Sequence, residues 1–262
     1  MGGIGAAVRP RVSILGVQVD RVDRAGAVAA LERFLADGRT HQVVTVNTDF
    51  IRLADGDPEY LTVLNAADLA VADGMPLVWF SRLAGAGLPE RVAGIDLVDD
   101  CCRLAARTGI PVFLLGGAPG VAAAAGRTLA AGHPGLRIGG IFSPPFEAPT
   151  AEGDAQMLRA IDRVGRCVLF VAFGAPRQDK FIRRHRAVID APIAIGVGGT
   201  LDILAGEIRR APGWMQRTGL EWAWRLAQEP GRLWRRYLVH DVPFFLRLGA
   251  DALRTGMARG SR

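Results

Sequence analysis

ADGMPLVWFSRLAGAGLPERVAGID, residues 72–96, sets a carboxylate at the end of an apolar run and an arginine a short distance later. Residues 69–73 read as a short buried strand that ends on Asp73. Gly74 lets the backbone turn, and residues 75–83 carry the apolar spacing of a helix. Strand, glycine turn and helix in that order are the repeating unit of an open α/β sheet, and such sheets bind ligands in the crevice beyond the carboxyl ends of their strands. Asp73 stands at that position. An Asp before Gly also serves as an ordinary cap of the following helix, so the reading needs support from elsewhere in the chain.

Three further blocks repeat the pattern. HQVVTVN (41–47) is a β-branched run that brings Thr45, Asn47 and Thr48 to the same sheet edge as Asp73 and leads into a helical pattern over 50–54. Taken alone, Asn47 or Thr48 is equally well a helix cap and Thr45 a strand residue. CVLFVAFGAPRQDK (167–180) is a strand, a Gly-Ala-Pro turn and a helix start that carries Arg177, Gln178 and Lys180, donors suited to an anionic ligand. PIAIGVGGTLD (192–202) runs a strand into glycines whose backbone N–H groups can approach a phosphate closely.

The remaining elements complete one alternating series. A strand pair is predicted near 12–19, a helix over 24–36, and strands over 43–47, 69–73, 111–115, 136–141, 167–173 and 192–197. The alanine-rich run 121–131 reads as a helix and FSPPFEAP (142–149) as a proline-rich loop. Short apolar strands alternating with helices predict an α/β fold, a doubly wound and mainly parallel Rossmann-like sheet, with a C-terminal helical appendage. The expected organisation is a flexible tail over 1–10, an α/β domain over 11–212 and a basic amphipathic helical appendage over 213–262. At 262 residues the chain is long enough to bury a sizeable core.

Composition narrows the partners. Net charge is +6, and nearly all of the 32 basic residues are arginine, which grips phosphate and diphosphate bidentately. No zinc finger or base-stacking motif points to nucleic acid. The C-terminal arginines instead fall among tryptophans. Arg232, Arg235 and Arg236 share a helical face beside Leu233, Trp234, Tyr237 and Leu238, as an anionic membrane surface requires, although a basic helix docked on its own domain has the same stripe. Pro230 separates that helix from the segment before it. No apolar run reaches the ~20 residues that span a bilayer, and residues 1–11 lack the apolar core of a signal peptide. Cys101, Cys102 and Cys167 lack metal-ligand spacing and read as core residues of a reducing compartment.

Two motifs invite other readings. LLGGAPG (114–120) follows a strand and opens a helix, but it has neither the spacing nor the acidic residue of a dinucleotide fingerprint. Asp55-Gly56-Asp57 has the DxD spacing of metal-dependent glycosyltransferases, yet Pro58 follows, as in a turn whose Asp57 caps a helix with Pro at its first position.

Thr45, Asn47, Asp73, Arg91, the GAPRQ and GVGGTLD turns and LEWAWRLAQEPGRLWRRYL (220–238) together resemble the WecG/TagA/CpsF glycosyltransferases, glycosyltransferase family 26, over about residues 12–246. The resemblance implies inverting transfer of a sugar from a UDP-sugar donor to a lipid-linked sugar acceptor, a polyprenyl diphosphate, with no metal and no cofactor. It implies a cytoplasmic enzyme, peripheral on the inner face of the plasma membrane. It places Asp73 as the base, with Thr45 and Asn47 orienting the sugar. Arg91, Gly116, Gly117, Gln178, Gly199, Thr200, Asp202, Arg232 and Arg235 are then substrate-binding. Asn47-Thr48-Asp49 and Gln178-Asp179 stand where many members have Asn-Pro-Glu and Gln-Glu, so the donor remains open among UDP-glucose, UDP-N-acetylmannosamine and its uronic acid. Assembly into a homo-oligomer is left open. A nicotinamide-dependent oxidoreductase on the same sheet and a non-catalytic, membrane-associated nucleotide-binding protein are the alternatives, since fold alone does not fix function.

Overall fold

The computed structural model describes residues 9–144, 150–234, 244, 246–251 and 253–254. The chain opens with an antiparallel pair, β1 (Arg11–Ile14) and β2 (Val17–Asp20), and α1 (Arg24–Ala36), whose first turn is capped by the Asp23 side chain. The series continues with β3 (Gln42–Val46), α2 (Thr48–Asp55), α3 (Pro58–Asn65), β4 (Leu69–Ala72), α4 (Met75–Leu83) and α5 (Gly94–Thr108). Next come β5 (Val112–Gly116), α6 (Val121–Gly132), β6 (Ile138–Phe142), α7 (Ala151–Asp162), β7 (Val168–Ala172), α8 (Arg177–His185), β8 (Ile193–Gly196) and α9 (Thr200–Ala205). Three short helices follow: α10 (Gly213–Arg217), α11 (Glu221–Gln228) and α12 (Pro230–Trp234).

Strands β3 to β8 form one parallel sheet in the order β4-β3-β8-β7-β5-β6. Strands β4, β5, β7 and β8 read as unbroken apolar runs because both of their faces are covered, while β6 at the sheet edge leaves Ile141 41% exposed. One face packs on α1, α5 and α6 around Leu31, Leu97, Leu114 and Phe170. The other is covered partly by α7 and α8 around Phe113, Met157 and Phe181, and partly by the β1–β2 pair, α2, α3 and α4. Each predicted strand lies within two residues of its expected place, and the expected helices over 24–36 and 75–83 are found with those bounds. All three cysteines are buried in core clusters and free of disulfides, as expected.

The C-terminal helices are integrated with the sheet domain. Arg91 pairs with Glu221 of α11 at 2.7 Å, and Arg210, in the segment ahead of α10, pairs with Asp96 at 2.7 Å. Phe244 and Leu248 lie in the core cluster with Val12, Tyr60 and Leu77. Pro230 opens α12, so it separates two helices as expected. Residues 1–8 of the expected 1–10 tail, most of the 142–149 loop, the side chains of Arg232 and Leu233, and residues Arg235, Arg236, Tyr237 and Leu238 lie outside the described residues, whereas Arg9, at the end of that tail, pairs with Asp20 at 3.5 Å.

Candidate active site

The carboxyl ends of all six parallel strands open into one cavity of about 880 Å³. Thr45, Asn47, Asp73, Gly116, Gly117, Gln178, Gly199, Thr200 and Asp202 all line it, drawn from five different strand ends. All nine are residues that the family resemblance names for the site.

Asp73 follows β4 directly, and its backbone N–H donates to Val46 O at 2.7 Å. It does not cap α4, whose N-cap is Gly74 with no side-chain bond. Its Oδ2 instead accepts the Gly94 N–H at 3.1 Å, at the start of α5. Val92 N–H donates to Ala72 O at 2.8 Å, which pins the same loop against the strand end. A Cβ added to Gly94 would lie 3.2 Å from Asp73 Oδ2 and 3.4 Å from Thr45 Oγ1, so the two predicted side chains share one corner of the cavity. Burial raises the Asp73 carboxyl to about 6, against the Gly94 N–H and the Arg91 guanidinium, which lower it; the negative charges of Glu221 and Asp96 add to the rise. At neutral pH the group is ionised yet close enough to neutrality to take a proton, the range that suits a general base.

Asn47 is both things the sequence allowed. Its Oδ1 caps α2 by accepting from Asp49 N and Phe50 N at 3.0 and 3.1 Å, while the residue also lines the cavity. The cap uses the side-chain oxygen and not the amide nitrogen.

Gln178 is 2% exposed, and its Oε1 accepts from Gly174 N at 3.1 Å and Gly198 N at 3.0 Å. It ties the turns after β7 and β8 together under the cavity floor. Gly196 has to be glycine here, because a Cβ would come within 2.8 Å of Asp179 Oδ1. Gly116 is constrained more severely: its φ is +102° and a Cβ would lie 2.6 Å from Ala172 O. Both glycines are required by close approach of neighbouring chain.

Several nominated groups have partners within the fold. The Gly117 N–H donates to Ala172 O at 3.2 Å and the Thr200 N–H to Val197 O at 3.0 Å, so both are spent inside the fold. Arg91 is absent from the cavity lining; its guanidinium is held by Glu221 Oε2 at 2.7 Å and Gln216 Oε1 at 3.3 Å. Lys180, the chain's single lysine, turns away to Asp57 at 2.7 Å and Glu59 at 2.5 Å. The DxD residues are structural: Asp57 Oδ1 accepts Tyr60 N–H at 2.9 Å as the cap of α3, and Asp55 pairs with Arg247. The hydrogen bond from Lys180 lowers the Asp57 carboxyl. The side chain of Arg232 and all of Arg235 lie outside the described residues.

The cavity also holds charged groups not singled out as site residues. Arg225 and Glu221 reach it from α11, and the Arg225 guanidinium comes 3.0 Å from the position of a Cβ on Gly199. Arg177, expected from its helix start to suit an anionic ligand, also lines the cavity, with its guanidinium 5.2 Å from the Phe173 ring centre. Glu221 and Arg225 belong to the LEWAWRLAQ stretch, which is suggestive as a block but contains nothing local that aims either side chain at the cavity. Beneath the floor, Asp179 is fully buried, accepts the Tyr60 hydroxyl at 2.9 Å, and is raised by burial to about 7.

A family model described as "Glycosyl transferase WecG/TagA/CpsF family" matches residues 12–258. Among curated relatives, a protein of Bacillus subtilis (strain 168) is 32% identical over 79% of this chain and 79% of its own length. One of Staphylococcus aureus (strain MRSA252) is 30% identical over 93% and 94%. One of Bacillus spizizenii (strain ATCC 23059 / NRRL B-14472 / W23) is 33% identical over 84% and 85%. All three bear the name N-acetylglucosaminyldiphosphoundecaprenol N-acetyl-beta-D-mannosaminyltransferase.

Proposed function

Since the chain belongs to the WecG/TagA/CpsF family of glycosyltransferases, we propose that it moves a hexosyl or N-acetylhexosaminyl group from a UDP-sugar to a polyprenyl-diphosphate-linked sugar in bacterial cell-surface polymer synthesis. N-acetylmannosamine is the donor sugar that the relatives' names favour, and N-acetylglucosamine the acceptor sugar. The oxidoreductase alternative gives way to this membership.

The observation that carries the mechanism is Asp73, a half-buried carboxylate raised to about 6 at the carboxyl end of β4, in one corner with Thr45. A sugar hydroxyl is a poor nucleophile unless its proton leaves as the new bond forms. Asp73 takes that proton, the acceptor oxygen bonds to the anomeric carbon, and the bond from that carbon to the diphosphate oxygen breaks on the opposite side, which inverts the configuration. Thr45 and the Asn47 amide hold the sugar for in-line approach. Arg225 and Arg177 are the described cations on the cavity wall that can meet the departing diphosphate, with backbone donors of the glycine turns beside them.

The acceptor's lipid places the enzyme at a membrane. No helix among the described residues is long and apolar enough to cross one. Peripheral attachment to the anionic inner leaflet through Arg232, Arg235, Arg236 and the neighbouring tryptophans fits the net charge of +6. The test is a screen of UDP-sugars against a short-chain polyprenyl-diphosphate-N-acetylglucosamine acceptor, read by mass spectrometry. A product heavier by one transferred sugar is expected with one donor class. No product with any donor, from folded protein, would refute the proposal.

A further inference from the structure

Glu221 is the first residue of α11 and lines the cavity that Asp73 also lines. Two carboxylates facing one cavity repel each other, yet the fold keeps Glu221 there by pairing its Oε2 with Arg91 NH1 at 2.7 Å. The pair is well shielded, with the Arg91 side chain 13% exposed and that of Glu221 33% exposed. Arg91 is anchored in turn. Its other arm donates to Gln216 Oε1 at 3.3 Å, and Gln216 Nε2 donates to Ala211 O at 2.7 Å. The residue after Arg91 is Val92, whose N–H is pinned to Ala72 O at 2.8 Å, next to the base. The contact between the C-terminal helices and the sheet domain is thus made one residue from the backbone that positions Asp73.

We propose that Glu221 is a positioning residue that couples the C-terminal helices to the catalytic base: paired with Arg91, it keeps that guanidinium from neutralising Asp73 and holds a second negative charge beside it. This rests on Asp73 being the base, as proposed above. The other charged groups that line the cavity are Asp49 of α2, Arg177 of α8, Asp202 of α9 and Arg225 of α11, and Asp96 of α5, which also acts on Asp73, is paired with Arg210 at 2.7 Å. Glu221 and Arg91 act on Asp73 with opposite sign, Glu221 raising it and Arg91 lowering it. Seated helices therefore give a stronger base.

The two members of the ion pair provide a test that a merely structural contact would fail. In the full chain, Glu221→Gln removes the negative charge and releases Arg91 toward Asp73. The Asp73 midpoint, about 6 in the parent, should fall by about one pH unit. Arg91→Gln breaks the same ion pair but leaves the Glu221 charge, so the midpoint should rise by a similar amount. The direct readout is carbon-13 NMR titration of aspartate carboxyls, with the Asp73 signal assigned as the one missing in Asp73→Asn. The acid limb of kcat/KM against pH should follow the same two shifts. Opposite shifts support the proposal, while no shift, or shifts of the same sign, would overturn it. If one variant does not fold, the sign of the other decides. Since the titration needs no turnover, opposite shifts in a protein inactive on every donor would refute the proposed reaction and leave the coupling intact.

Discussion

Replacing Asp73 by Asn should make the protein more stable and nearly inactive, and both effects can be worked from the corner in which Asp73 sits. The amide oxygen of Asn can still accept the Gly94 N–H that Asp73 Oδ2 accepts at 3.1 Å, so the start of α5 stays satisfied. What changes is the charge. Burial raises the folded carboxyl from 3.8 to about 6. An acid whose folded value lies above its unfolded value holds its proton more tightly in the native state, so stability is greatest below the unfolded value and is lost as pH rises through the folded one. The loss grows between about pH 4 and pH 6 and is complete above that. Two pH units at 1.36 kcal/mol each make the full penalty about 3 kcal/mol at pH 7.5, and about 1 kcal/mol at pH 4.5. These are upper values, because the cavity side of the carboxylate meets water. Asp73→Asn has no such penalty, so its stability advantage over the parent should widen by up to about 2 kcal/mol from pH 4.5 to pH 7.5. Urea melts of both proteins at the two pH values read this directly. Sugar transfer should fall by roughly 10²- to 10⁴-fold with nucleotide affinity little changed, the usual loss with a positioned base. A variant no more stable than the parent at pH 7.5 would refute the burial argument, and one that transfers sugar at the parental rate would refute the role.

Gln178→Ala leaves the Gly174 and Gly198 N–H groups without their shared acceptor, so donor KM should rise and stability fall by about 1–2 kcal/mol, read by initial rates and thermal melts. Turnover should survive excess EDTA, because the DxD carboxylates are engaged by Arg247, Lys180 and the α3 cap; activity lost on chelation and restored by Mn²⁺ would return Asp55 and Asp57 to consideration. Leu248→Ala should cost about 2–5 kcal/mol in a urea melt, since its side chain is 1% exposed in the core. Alanine at Arg232, Arg235 and Arg236 together should weaken sedimentation with anionic vesicles by roughly two orders of magnitude, at about 1 kcal/mol per arginine. Undiminished vesicle binding would leave the C-terminal segment as core packing alone.

By itself the sequence determined the elements and much of the cavity's membership. β-Branched runs closed by glycine, and helices opened by Asp23, Asn47 and Asp57, are set by contacts within about four residues, which a linear chain displays. A parallel sheet then brings every strand's carboxyl end to one edge, which is why Thr45, Asp73, Gln178 and Gly199 could be grouped before the strand order was known, whereas Gly116 was named by the family resemblance. Tertiary structure decided what each group does. Asp73 looks like a cap for the helix that follows it, but its partner is Gly94, 21 residues on, and burial rather than sequence raises its carboxyl. Arg91 is named as a substrate ligand by the family resemblance alone, and the tertiary structure pairs it with Glu221, 130 residues away, because α11 folds back over the sheet edge. The Gly117 and Thr200 N–H groups look free in a glycine turn and are consumed by neighbouring carbonyls. Charge and hydrogen-bonding capacity are properties of a residue, but whether they are spent inside the fold or offered to a substrate depends on which distant chain segment arrives beside them.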